Sequence, residues 1–160
     1  MSTKRINGSQ LEQMLRNGLA NLKTQESEIN RLNVFPVSDG DTGTNMRLTL
    51  EHGIQYAYST AAAGDYLKKL SEGMLLGARG NSGVILSQFF KGFYVELARC
   101  AQLGVGELRN GLIRGYRTAY SLALLPQLLH PYWVLVLSNL TSSPITPTLM
   151  GVEYQSFPFL

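Results

Sequence analysis

Apolar residues recur at helical intervals along most of the first 120 positions of this chain. Leu11, Met14, Leu15, Leu19 and Leu22 repeat every three or four residues behind Ser9 and Glu12, which stand at the spacing of a capping box. A first helix is therefore expected from about 9 to 23. The stretch Glu26 to Leu32 either continues it or forms a short second helix, before Pro36 forces Phe35 and Val37 into an extended segment. Met46, Leu48, Leu50, Ile54 and Ala57 predict a helix from Asn45 to about Tyr58, with Gly53 as its weak point. Asp65 is placed to cap a helix that carries Tyr66, Leu67, Leu70, Met74 and Leu75 and ends near Gly77. The clearest amphipathic run is 83 to 101, with Val84, Ile85, Phe89, Phe93, Leu97 and Cys100 on or near one face. After Gly104 and Gly106, the residues Leu108, Leu112, Tyr116 and Tyr120 resume a period close to four.

Up to residue 120 no strand is predicted beyond the short entry at 34 to 37. The expected fold is all-α, an antiparallel up-and-down helical bundle or barrel with polar loops gathered at one end. The pattern stops at Ser121. From there the chain holds one formal charge, Glu153, and five prolines (Pro126, Pro131, Pro144, Pro147 and Pro158). We therefore divide the chain into a helical domain at 1–120 and an atypical apolar, proline-rich tail at 121–160. Leu122 to Leu140 approaches the ~20 residues a membrane span needs. Pro126, His130 and Pro131 interrupt it and no cation flanks its C-terminal side, so stable insertion is not expected.

Composition narrows the function classes. With 44% apolar and 16% charged residues the chain is ordinary for a globular protein. The net charge of +3 is modest and its Lys and Arg are scattered, with only Lys4-Arg5 and Lys68-Lys69 adjacent, so nucleic-acid binding is not expected. A single cysteine, Cys100, excludes an intramolecular disulfide and a multi-cysteine zinc site, and its helical register places it in the core. The N-terminus has basic residues but no apolar run behind them, so no secretory signal is read and a cytoplasmic location is expected.

Two constellations carry chemistry. Asp39-Gly40-Asp41 sets two carboxylates one residue apart, where extended or turning backbone projects them to one side, followed by Thr42, Thr44 and Asn45 leading into a helix. Carboxylate oxygens suit Mg2+, which takes one or two of them and keeps its other positions for water and phosphate. The same residues also suit a plain turn in which an aspartate caps the next helix. An EF-hand is excluded, because Gly43, Thr44 and Leu50 stand where its fifth, sixth and twelfth loop positions require other residues. The second constellation is Gly77-Ala78-Arg79-Gly80-Asn81-Ser82-Gly83 between two predicted helices. Its glycines allow backbone N–H groups to converge on an anion beside a helix N-terminus, and Arg79 can neutralise phosphate charge. A simple helix–helix connection capped by Ser82 or Asn81 is the alternative. No Walker A ending is present, and neither His52, read as distant from both loops, nor His130 completes a nucleophilic triad.

The run Leu32 to Met46, with Asn33-Val34-Phe35-Pro36-Val37-Ser38 before the aspartates, resembles the signature of the DhaL (DAK2) nucleotide-binding family, and the Asn-Val-Phe-Pro variant resembles its bacterial fatty-acid kinase A-subunit branch. Gly77 to Gln88 resembles the second signature of that branch. The resemblance covers roughly residues 5 to 120. It implies a barrel of amphipathic helices that holds ATP or ADP at its rim through two Mg2+ ions, and phosphoryl transfer to a fatty-acid carboxylate presented by a fatty-acid-binding partner protein. Dihydroxyacetone is the substrate of the related sugar-kinase branch, and a homodimer is a form of the full-length family. Asp39 and Asp41 match the metal-binding, catalytic carboxylates, with Asn33 in line for a third metal position. Thr42, Thr44 and Asn45 would face the phosphates, while Gly80, Asn81, Ser82 and Gly83 would cover them. Ser38 replaces the family's usual proline. The chain departs from the family after Tyr120, where Pro-Val-x-Gly-Thr and further helices are expected and not found. An incomplete barrel follows from that departure, and a non-catalytic fragment that keeps only a partner-docking surface is the alternative reading.

Overall fold

The computed structural model describes residues 5–33 and 39–123, and in these it is entirely helical: α1 (Gly8–Arg31), α2 (Thr42–Tyr56), α3 (Ala63–Leu76), α4 (Gly80–Leu97) and α5 (Val105–Ala123). The extended entry expected at 34 to 37, Ser38 and the tail from 124 onward lie outside the described residues. The one pairing of extended backbone among them is an isolated bridge between Ile6 and Leu103, closed by two N–H···O bonds of 2.9 and 2.8 Å.

α1 is one continuous helix rather than a helix and a short successor. Its cap lies two residues earlier than expected, at Asn7 and not Ser9. Asn7 Oδ1 accepts from Gln10 N at 2.9 Å while Gln10 Oε1 accepts from Asn7 N at 3.0 Å, the reciprocal pair of a capping box. α3 likewise starts before Asp65, which makes no cap bond. Its first amides donate instead to the loop after α4, Ala63 N to Ala101 O and Gly64 N to Cys100 O.

The core is the shared face of these helices: Leu11, Leu22 and Ile29 of α1, Met46, Leu50 and Ile54 of α2, Leu67, Leu70 and Met74 of α3, and Ile85, Phe89, Phe93 and Leu97 of α4 are all buried, with Cys100 partly buried against them. Tyr66 is fully enclosed, and burial pushes its phenol up to about 12, so it stays neutral. Close approaches fix the register. A β-carbon at Gly53 would run into Met74, so the expected weak point of α2 is where α3 crosses it. Gly111 and Gly115 admit Phe93 and Phe89 of α4, and Gly92 admits Thr118 of α5. This packing overturns the predicted face of α5. Leu112, Tyr116 and Tyr120 point outward, and Gly111, Gly115 and Ala119 are the buried positions, because small residues there let the Phe89 and Phe93 side chains of α4 pack directly on the α5 backbone.

The contacts also order the helices up and down. Gly43 of α2 lies on Glu26 and Ile29 of α1 while Lys23 reaches Glu51, Gly64 of α3 lies on Leu97 of α4, and Gly83 of α4 lies on Thr49 of α2. α1 and α2 are thus antiparallel, as are α3 and α4, whereas α2 and α4 run in the same direction. The C-terminus of α1, the N-terminus of α2, the C-terminus of α3 and the N-terminus of α4 meet at one end of the bundle.

Candidate nucleotide site at the shared helix end

Both chemical motifs sit at that end. The first begins at Asn33, which is 6% exposed and donates through Nδ2 to Asp39 Oδ1. Gly40 then turns with φ +63°, a left-handed value that favours glycine, and Asp41 opens α2 by accepting from Asn45 N at 2.8 Å. Asp41 occupies the N-cap position, yet its side chain makes no cap bond, so the plain capped-turn reading does not hold. Among the described residues neither carboxylate is in an ion pair.

The cap of α2 comes from a residue that the sequence did not single out. Asn30, the penultimate residue of α1, accepts through Oδ1 from Gly43 N at 2.8 Å and Thr44 N at 3.2 Å, and donates through Nδ2 to Thr44 Oγ1 at 3.0 Å. The Thr44 hydroxyl in turn donates to Glu26 at 2.7 Å, which places it between two residues of α1. Arg47 ties the same Glu26 to Glu51, and Lys23 holds the other Glu51 oxygen. The Thr44 hydroxyl beside Glu26, followed by Arg47, holds that carboxyl below the usual range, and Lys23 does the same for Glu51.

The second motif is less of a loop than its composition predicts. α4 starts at Gly80 and not near Gly83, so Gly80, Asn81, Ser82 and Gly83 form its first turn. Gly80 has φ +55°, and a β-carbon there would meet the Asn45 side chain. Neither Asn81 nor Ser82 caps the helix. The cap position is Arg79, which gives no side-chain bond, and Ser82 is buried with its hydroxyl donating to Thr42 O at 3.3 Å. Among the described residues nothing accepts from the N–H groups of Gly80, Asn81 and Ser82. They are the open donors of this end, at the positive pole of α4. His52 is also nearer than the sequence predicted. Its Nδ1–H donates to Gly73 O at 2.8 Å and its ring fills the space beside Gly77, at the entrance to the second motif.

The structure thus joins Thr42 to Ser82 and Asn45 to Gly80, with Asp39 and Asp41 immediately before them. The model of the DAK2 domain matches residues 36–124, which span both motifs and helices α2 to α5. The chain belongs to the DAK2 domain family. That family is associated with nucleotide-binding subunits of kinases. The DAK2 chain is also 40% identical over 124 residues to uncharacterized proteins of Staphylococcus epidermidis and Staphylococcus haemolyticus, covering 76% of this chain and 22% of each relative. A Staphylococcus aureus protein of strain USA300 matches equally well over 23% of its length. The chain therefore spans less than a quarter of the relatives it matches.

Proposed function

We propose that this DAK2 domain binds ATP or ADP with Mg2+ at the shared helix end and serves a kinase that transfers the γ-phosphoryl group to a fatty-acid carboxylate presented by a separate fatty-acid-binding protein. One observation supports the nucleotide part: among the described residues two carboxylates outside any ion pair and three open amide donors, far apart in sequence, are linked by the Ser82–Thr42 bond and the Asn45–Gly80 contact. The acyl substrate and its carrier rest on the Asn33-Val34-Phe35-Pro36 form of the first motif.

The residues fit the metal. Asp39 and Asp41 would be its charged ligands, with the Asn33 amide bonded to Asp39 beside them; among the described residues no three His, Cys, Asp or Glu side chains cluster as ligands. Hard cations that keep water and phosphate oxygens in their remaining positions, such as a pair of Mg2+ ions, suit that set. Bound there, Mg2+ would neutralise phosphate charge and align the transferring group. The chain's own part is positioning. Asn33 orients Asp39, Gly40 sets the two carboxylates around one turn, and Gly80 to Ser82 present N–H groups to phosphate oxygens with Arg79 at the rim. In such a site the protein holds and neutralises, and no covalent intermediate on the chain is called for.

Titration calorimetry with ATP and MgCl2 on the full chain tests the reading. Saturable, Mg2+-dependent binding is expected, weakened at least tenfold by Asp39→Asn or Asp41→Asn. No heat from the wild-type chain at millimolar nucleotide, or binding indifferent to both substitutions, would sink it. Among the described residues no helix is long and apolar enough to cross a membrane.

A further inference from the structure

We propose that Thr49 is the positioning residue of the second motif, a cap for α4 supplied from α2. The inference deepens the nucleotide reading above, since it names what holds the open amides of Gly80 to Ser82 in place. Thr49 is fully buried, in the register of Met46, Leu50 and Gly53 on the core face of α2. Its hydroxyl donates to Asn45 O at 2.7 Å, which leaves its lone pairs to accept from Arg79 N at 3.1 Å. The same oxygen fills the space where Gly83 lacks a side chain. One hydroxyl therefore touches the residue before the first turn of α4 and the residue that closes it.

The geometry makes this contact more than packing. Arg79 has extended backbone (φ −123°, ψ 133°) and no side-chain cap, and Gly80 follows with φ +55°. Such an entry is conformationally loose when nothing outside the helix fixes it. The Thr49 bond fixes the Arg79 peptide, and through it the direction in which the next three N–H groups point. Because Thr49 bonds to Asn45 O as well, it links the α4 turn to the backbone of the first motif. A displacement of one motif is carried to the other through a single oxygen, and anion affinity depends on the angle at which the donors are held.

Thr49→Val keeps the shape and deletes the hydroxyl, whereas Thr49→Ser keeps the hydroxyl and deletes a methyl. Amide hydrogen exchange by NMR on the full chain reads the clamp directly. In the wild-type chain Arg79 should exchange at least tenfold more slowly than Gly80 and Asn81. Thr49→Val should erase that difference and weaken Mg-ADP about tenfold, and Thr49→Ser should restore both. Unprotected Arg79 in the wild-type chain overturns the proposal without any variant, as does a Thr49→Val chain that keeps Arg79 slow or binds Mg-ADP like the wild type. Equal weakening by Thr49→Ser and Thr49→Val would also overturn it, because packing alone would then explain the loss. If the wild-type chain binds no nucleotide while Arg79 is released in Thr49→Val, the nucleotide reading falls and the clamp stands.

Discussion

The N-termini of α2 and α4 lie side by side, and they are finished in opposite ways. At α2 the amides of Gly43 and Thr44 are taken by Asn30 from the neighbouring helix, and the Thr44 hydroxyl is turned onto Glu26. At α4 the Arg79 amide is taken by Thr49, and among the described residues nothing accepts from the next three donors. A closed end cannot also bind an anion through the same donors. The division of labour follows. In the proposed site α2 would supply carboxylates from the turn before it, and α4 would supply N–H groups from its first turn. A run of small residues at a helix N-terminus therefore predicts a phosphate cradle only when no other element has already occupied its donors.

Substitution can break this contrast at either end. The largest effect is expected at Gly80, whose φ of +55° an alanine enters only with strain and whose α-carbon faces the Asn45 side chain. Gly80→Ala should cost about 1.5 kcal/mol of unfolding free energy in urea and weaken Mg-nucleotide binding. A stability within about 0.3 kcal/mol of the wild type would show that the α4 entry is not strained as described. Asn30→Ala comes next. It uncaps α2 and should cost about 1 kcal/mol, as loss of a helix cap does, while Arg79 keeps its slow exchange. If Asn30→Ala instead freed Arg79, the two ends would be one unit, and the comparison would fail.

Helix existence was legible because periodicity reports burial, and every helix expected from an apolar repeat is found. The face of α5 was not. Leu112, Tyr116 and Tyr120 carry the visible repeat, but Gly111 and Gly115 carry the contact, and glycine has no hydropathy to mark it. The start of α4 was misplaced for a related reason: Gly80, Asn81, Ser82 and Gly83 are poor helix formers, and their helical turn is imposed by Thr49 and Asn45 from α2. The carboxylates and the glycine-rich run were readable as residue types at a fixed spacing. Asn30 and Thr49 were not, since their partners lie 13 and 30 residues away and only the fold brings them together. Thr49 did leave one signal, a hydroxyl in the register of an apolar face.

The smallest expected effect separates the two ends by chemistry. The α1–α2 junction beside the closed end is ionic, with Glu26 and Glu51 held by Thr44, Arg47 and Lys23, whereas the α4 entry is held by an uncharged hydroxyl. Glu26 and Glu51 both have folded pKa values below the ordinary 4.5. A depressed carboxyl binds protons more weakly in the folded than in the unfolded chain, so its stabilisation is complete above the unfolded value and is lost as pH falls through the folded one. With side chains 23% and 26% exposed, water screens these pairs, and together they are worth about 1 kcal/mol or less. Urea unfolding at pH 7 and pH 3.5 should show a loss of that size in the wild type, and a flatter dependence in Glu26→Gln, which has no proton to take up. The same pH dependence in wild type and Glu26→Gln would remove the ionic character assigned to this junction. The Arg79 amide, corrected for the intrinsic pH dependence of exchange, should keep its protection relative to Gly80 for as long as the chain stays folded, because nothing in its bond to Thr49 titrates in that range.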